Sequence, residues 1–419
     1  MKDAYDALMV GTGPASWAAA ALIARAGFSL LVIDTQAPPP LRPATALLPQ
    51  AQGLLKRLGL STAGQQQRWS SQWGFQFVPA DGTLATSIPF PEQLSPDDAR
   101  AWHLHESDLI PLLRQEAVAA GVEVAEGFMS AEPLFEVSRA RGLQLRSEAG
   151  DERMIAARVL IDGAGPESPL PRDCGGISPV EMPRLTAIWG LYQAVQHAGD
   201  LQGSCTALLK TTVPGACCWA IPLAGDLTSV GVVGGDELLA ARGAAATVFE
   251  DALVKCPALA ERLIRASLHG NLQTARELDY QAQRGAGEGW LLIGPALAAV
   301  APLVGMQLHL DLKSAELAAT AVIDGLKYGD TSAQQLGCWT GEFLTGVTRA
   351  RQFTRSLVEA LPSLEGFLGQ SAGEREALAD FLAGGVFSRG AGTFLSRWDS
   401  PPLQPPAVRA KRPSLEVSS

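Results

Sequence analysis

Positive charge is scarce in this chain: 33 Lys and Arg stand against 43 Asp and Glu, a net charge of −10. That balance argues against nucleic-acid binding, which needs a basic face to neutralise phosphates. Cysteine is also sparse. The six cysteines (Cys174, Cys205, Cys217, Cys218, Cys256 and Cys338) show no C-x-x-C spacing, and they read as reduced, buried thiols rather than a metal or disulfide framework. A secretory leader is not expected either. Residues 1–6 carry two acids, Asp3 and Asp6, beside Lys2, where a leader would carry bases, so a cytoplasmic location is expected. An unbroken membrane-length run is absent too. Residues 290–310 carry no full charge, but Gly294, Pro295, Pro302 and Gly305 divide them into strand, loop and helix pieces. A buried α/β core element is expected there, and no membrane association. No internal repeat is visible.

What the sequence does contain is a globular composition, 47% hydrophobic and 18% charged over 419 residues. Residues 6–10 read as a buried strand and residues 14–26 as an alanine-rich helix that Gly27 can cap. Residues 28–33 form a second strand. This is a βαβ opening. Pro38, Pro39 and Pro40 impose a stiff loop. A helix over 50–58 stops at Gly59, and residues 69–91 look like strands. Helix 109–120 leads into strand 122–125, and further strands follow at 143–147 and 158–162. Residues 185–233 are β-rich, helices return over 245–267, and strand 291–294 precedes a long helix over 304–326. Beyond Tyr328 the pattern is helical. Ser371 with Glu374 makes a capping box, and residues 399–419 read as a disordered tail. The expected fold class is α/β: a Rossmann-like domain with an inserted β-rich substrate domain and a C-terminal helical region. The boundaries are 1–175 with 285–328, 176–284 and 329–398, with residues 61–100 contributing to the substrate side.

The chemistry begins at Gly11-Thr12-Gly13-Pro14-Ala15-Ser16, between the first strand and the first helix. Gly11 permits a tight turn. Gly13 lets a pyrophosphate approach the backbone, where the helix N-terminus offers free N–H groups and positive dipole. Ser16 takes the third glycine's place and is small enough for close helix–strand packing. Asp34 ends the second strand at about the 20-residue spacing of a ribose-binding acid. Together with Arg42 on the following loop, these residues form a candidate dinucleotide site.

Two later segments narrow the cofactor. Trp290-Leu-Leu-Ile-Gly294-Pro-Ala is followed by Ala301-Pro302-Leu-Val-Gly305-Met306-Gln307. This resembles the second FAD segment of the aromatic-hydroxylase and flavin-halogenase superfamily, in which a strand ends in Gly-Asp and a helix starts at Gly-x-Gly. Arg158-Val-Leu-Ile-Asp162-Gly-Ala-Gly165 is similar to the strand that precedes the group's substrate domain. The resemblance implies FAD, with Gly294, Pro302, Gly305, Met306, Gln307 and Asp162 joining the cofactor-binding set and the helix N-terminus facing the flavin. NADH or NADPH would be the transient reductant. Departures from the pattern are specific. Pro295 and Ala301 stand where acids are usual, and Gln307 where a glycine is usual. Glu106, in Trp102-His103-Leu104-His105-Glu106, stands where an arginine would contact the cofactor. Each lost polar contact is worth about 1–3 kcal/mol.

On the substrate side, Cys217-Cys218-Trp219-Ala220-Ile221-Pro222 resembles the Trp-x-Trp-x-Ile-Pro motif of flavin-dependent halogenases, with Cys217 replacing the first tryptophan. The segment around Ser71-Gln72-Trp73-Gly74 is similar to the one that carries the halogenase lysine, and puts Gln72 in its place. A neutral amide is no ammonium donor, so the resemblance implies hydroxylation of an aromatic, indole- or phenol-like ring. Relatives without the lysine include monooxygenases that mature tryptophylquinone cofactors, which extends the expected substrate to a tryptophan of a partner protein. Trp219, Gln72 and His309, near the flavin helix, are the candidate catalytic residues. An open cleft with Trp219 and Trp73 on its inner wall is expected for a protein substrate. The alternatives are a halogenase lacking the usual lysine and a degenerate flavoprotein serving as a binding subunit. His103 and His105 share one strand face but lack further ligands, so no metal is expected.

Overall fold

The computed structural model describes residues 1–35, 42–60, 68–83, 85–91, 101–176, 185–197, 204–212, 214–235, 244–276, 279–301, 303–359 and 373–398. Pro38, Pro39, Pro40, Pro302, Ser371 and the tail 399–419 lie outside the described residues.

The fold is mixed α/β. Strand β1 (Ala4–Val10) lies between β2 (Leu30–Ile33) and β11 (Glu152–Asp162), parallel to both. Beyond them lie β8 (Glu123–Ala125) and β19 (Trp290–Leu292), also parallel. These strands read as near-continuous apolar runs because helices cover the sheet. Helix α1 (Pro14–Arg25) makes the first crossover; Ala18, Ala19, Ala20 and Ala21 are fully buried, and so small a surface lets α1 lie close against α3 (Glu106–Ala119) and α6 (Met306–Tyr328). Gly27 ends the first crossover at φ +92°. The chain order reverses on either side of β1, so the carboxyl ends of β1 and its neighbours form the crevice where α/β sheets bind ligands.

In this sheet β9 (Phe128–Glu136) went unread in the sequence, and β10 (Arg139–Ser147) was expected only over 143–147. Strand β9 pairs with β10, which pairs in turn with an N-terminally longer β11. Strand β9 has one buried residue, β10 alternates buried and more open positions, and both are mixed in polarity, so they lack the continuous apolar signature of the parallel core.

The second sheet has seven strands. It runs from the edge strand β16 (Ser267–Arg276) through β12 (Leu185–Gln193), β15 (Leu227–Gly235), β14 (Ala216–Pro222) and β13 (Cys205–Lys210) to β5 (Gly74–Val78) and β6 (Thr86–Pro89). Helices α4 (Ala245–Val254) and α5 (Pro257–Arg262) close one face over Cys218, Val230 and Val232. A small sheet of β3 (Thr45–Leu47), β7 (Ala101–Leu104) and β4 (Ser70–Gln72) joins the two large ones. Four of the six cysteines are buried, but Cys174 is half-buried and Cys338 exposed, which corrects the expectation for those two.

The C-terminal helices are core-forming. Phe353 on α8 (Thr340–Glu359), Phe381 on α9 (Glu374–Leu382), and Phe394 and Trp398 on α10 (Ala391–Trp398) make one aromatic cluster with ring centroids 4.8–6.2 Å apart. Among the described residues, no helix is long and apolar enough to cross a membrane.

Candidate functional site

The turn after β1 is shaped by how near the chain comes to itself. Gly11 has φ +107°, and a Cβ there would lie 2.6 Å from the Ala164 amide nitrogen, just beyond β11. Gly13 is different. It caps α1 with φ −76°, and no atom would meet a Cβ within 4 Å. Nothing in the protein's own packing or backbone therefore demands glycine at 13, and open space lies in front of it. Pro14 is the first helical residue, no acid lies in the first turn, and no side chain caps the N-terminus. Ala15 is buried beneath Gly294. Ser16 is fully buried with its hydroxyl unpartnered, 2.4 Å from where a Cβ on Gly163 would stand. A bare helix N-terminus behind an open glycine fits a dinucleotide pyrophosphate. Asp34 follows at the end of β2, its backbone N–H donating to Ala125 at 2.9 Å. The Asp162 carboxylate is engaged locally: it accepts from the Ala164 N–H at 3.0 Å and from the Ser168 hydroxyl. Burial raises Asp162 to about 6 against those two bonds.

The second candidate segment folds against the first. Gly294 has φ +51°; a Cβ there would lie 2.7 Å from Ala15 Cβ and 3.3 Å from Asp311 Oδ1. Its N–H donates to Ser314 Oγ at 2.9 Å. Gly305 caps α6 at φ +70°, with Ala46 packed so near that a Cβ would meet it at 2.6 Å. Met306 opens the helix and is buried. Gln307 folds back: its Oε1 accepts from the Val300 N–H at 2.7 Å, and its Nε2 donates to Asp311 Oδ1 at 2.6 Å. The side chain that replaces the expected glycine thus fastens the preceding loop to the helix.

Sequence reasoning missed Asp311. It is fully buried, and its Oδ2 pairs with Arg42 Nη1 at 3.1 Å; the same nitrogen reaches Glu106 Oε1, also at 3.1 Å. Burial raises Asp311 to about 6; Arg42 pulls it down, and Glu106 pushes it up. Burial works against the Arg42 charge, but the two carboxylates outweigh it and hold the guanidinium above its ordinary range. The available signal was a single acid inside the otherwise uncharged run 305–312. Glu106, read as a lost contact, is the first residue of α3 and part of this cluster.

On the substrate side, Trp219 of β14 is 1% exposed and packs over Gly231 of β15. Its indole N–H lies 3.5 Å from Ser229 Oγ. Gln72 is fully buried; its Nε2 donates to the Gly74 carbonyl and to Thr206 Oγ1, each at 3.1 Å. Thr206 Oγ1 is 2.9 Å from His103 Nε2. Burial pushes His103 down to about 3, and it stays neutral. His309 is buried against the turn at Gly384, 3.0 Å from where a Cβ there would stand, with Phe387 at 6.0 Å. Burial, aided by Lys313, lowers it to about 4. It faces the C-terminal helical layer. Among the described residues, no three His, Cys, Asp or Glu are grouped to hold a metal.

The open wall expected of Trp219 and Trp73 is not there. Trp73 is 41% exposed, whereas Trp219 is sealed between strands. Trp219 is closed in by Gly231 of β15, and the C-terminal helices pack onto the same sheet. Helix α9 contacts β5 and β6, and Arg375 just inside it donates to the Ser87 carbonyl at 2.9 Å. The Gly215 N–H, before β14, bonds to the Val358 carbonyl of α8 at 3.2 Å.

No family model matches the sequence. The chain is 25% identical over 334 residues to the tryptophan 2-halogenase of Chondromyces crocatus, covering 75% of this chain and 60% of that one. It therefore spans about three fifths of that relative's length. It is also 25% identical over 370 residues to digeranylgeranylglycerophospholipid reductase 1 of Methanopyrus kandleri, covering 86% and 92% of the two chains. Among solved structures, a flavin-dependent brominase superposes with a TM-score of 0.81 at 21% identity, over 94% of this chain and 98% of the other. The chain has the fold of the flavin-dependent halogenases.

Proposed function

We propose that this member of the FAD-dependent oxidoreductase superfamily, which contains the flavin-dependent halogenases, is a monooxygenase that hydroxylates an aromatic, indole- or phenol-like ring. FAD is held at the β1–α1 turn and the start of α6, and NADH or NADPH supplies the electrons. The balanced reaction consumes the aromatic C–H compound, O₂, NAD(P)H and a proton. It yields the hydroxylated ring, water and NAD(P)⁺. When bound, the flavin supplies the oxygen chemistry. The chain's residues then have three tasks. Gly13 and the N-terminus of α1 receive the pyrophosphate. The α6 N-terminus, fixed by Gln307, stabilises negative charge on the ring system. The sealed strand around Trp219 keeps water out of the reaction space.

The observation that carries the reading is Gln72. A halogenase of this fold is expected to have an amine there, and both donor positions of this amide are engaged, by Gly74 and Thr206. A small-molecule substrate is favoured over a folded partner protein, because Trp219 is buried and the C-terminal helices pack onto the substrate sheet.

The test is turnover of indole and phenol probes with FAD, NADH or NADPH, and air, in saturating bromide. Products that gain one oxygen and no bromine support the proposal. A brominated product would replace it with the halogenase reading.

A further inference from the structure

The cluster of Arg42, Glu106 and Asp311 lies at the cradle and carries the wrong charge for its ligand. Asp311 sits 3.3 Å from the Cβ position of Gly294, which itself abuts Ala15 in the first turn of α1. The cluster is therefore next to the helix terminus that would receive the pyrophosphate. Its formal charges are one guanidinium and two carboxylates, a sum of −1. A pyrophosphate adds two more negative charges in a setting where water screens little. Arg42, with 18% of its side chain exposed, is the cation on hand, and both of its neighbours compete with the phosphate for it.

Resting on the FAD reading above, we propose that Arg42 is held by Glu106 and Asp311 in the absence of cofactor, and that FAD binds together with one proton, taken up by Asp311. Protonation leaves Glu106 and Arg42 as a neutral pair, and frees the guanidinium to turn toward the phosphate. The geometry marks Asp311 as the acceptor. It is fully buried, and burial has already raised it to about 6; an approaching anion pushes it further in the same direction. Glu106 is the first residue of α3, where the helix dipole favours its charge. His105 is half-buried; burial holds it below its ordinary value, against the pull of Asp108 and Glu106. Asp162, in the turn beside Gly11, is another raised carboxyl among the described residues, also at about 6.

The sign follows from linkage: a ligand that binds with a proton binds more tightly as pH falls. The full-length protein is titrated with FAD at pH 8 and pH 6, following quenching of flavin fluorescence, with circular dichroism confirming the fold at both. The expected result is a Kd about tenfold or more lower at pH 6. Glu106→Gln should tighten FAD binding at pH 8, also by about tenfold. Asp311→Asn, which mimics the protonated acid, should abolish the dependence. FAD binding with equal affinity at both pH values would overturn this proposal and leave the FAD reading intact. Dependence that persists in Asp311→Asn would overturn the assignment to Asp311 and move it to Asp162. A folded wild type and Glu106→Gln that both ignore FAD at either pH would overturn the FAD reading itself.

Discussion

The indole of Trp219 lies directly over the Cα of Gly231 on the adjoining strand: a Cβ at Gly231 would be 2.2 Å from Trp219 Cζ2. The ring has no other place to go, because it is 1% exposed. Gly231→Ala should therefore overpack the sheet and cost about 1–3 kcal/mol, read from the urea midpoint. It should also weaken binding of an indole probe by moving Trp219. A variant with unchanged stability would mean that the ring is free to shift.

Gln72→Lys should not create a halogenase. Its ammonium would be buried among the Gly74 carbonyl, Thr206 and a neutral His103, with no carboxylate among the partners of Gln72. Burial of that kind disfavours the charged amine. The expected outcome is a loss of about 1–3 kcal/mol of stability and no brominated product. Bromine incorporation in this variant would show that only the missing amine separates the chain from halogenation.

His309 gives a pH test of the C-terminal layer. Its folded value, about 4, is below the ordinary 6.5. The unfolded chain therefore binds the proton first, and the stability from the neutral imidazole is lost as pH falls from 6.5 through 4. Comparison with His309→Gln isolates this group, because His103, Asp162 and Asp311 titrate alike in both proteins. Moving from pH 7 to pH 4.5 should shift the difference in unfolding free energy toward the variant by about 2 kcal/mol. A constant difference would mean that His309 is not sealed under Gly384.

The βαβ opening was legible in the sequence because its signals are local: apolar runs, an alanine helix, and glycines at fixed offsets. Strand β16 was not, because seven of the ten residues in Ser-Leu-His-Gly-Asn-Leu-Gln-Thr-Ala-Arg are polar or glycine, most are exposed, and among the described residues the strand pairs only with β12. The parallel pairing of β13 with β5 joins segments about 130 residues apart, Cys205 with Gly74, which no local pattern announces. The backbone cradle could be read from Gly11, Gly13, Gly294 and Gly305. The charges around it could not. Arg42, Glu106 and Asp311 come from three separate segments, and only the fold brings them together.

The most direct test of the FAD assignment compares two glycines of one turn. Gly11→Ala should fail to fold stably, because φ +107° and the Ala164 backbone at 2.6 Å leave no room for a methyl. Gly13→Ala should fold as well as the wild type, because its φ of −76° and the open space before it tolerate a Cβ. Equilibrium dialysis against FAD at pH 6 should then find one flavin per wild-type chain and a Kd at least about tenfold weaker for the folded Gly13→Ala protein. Equal FAD affinity in the two proteins, or a folded wild type that retains none, would contradict a cofactor site built on this turn.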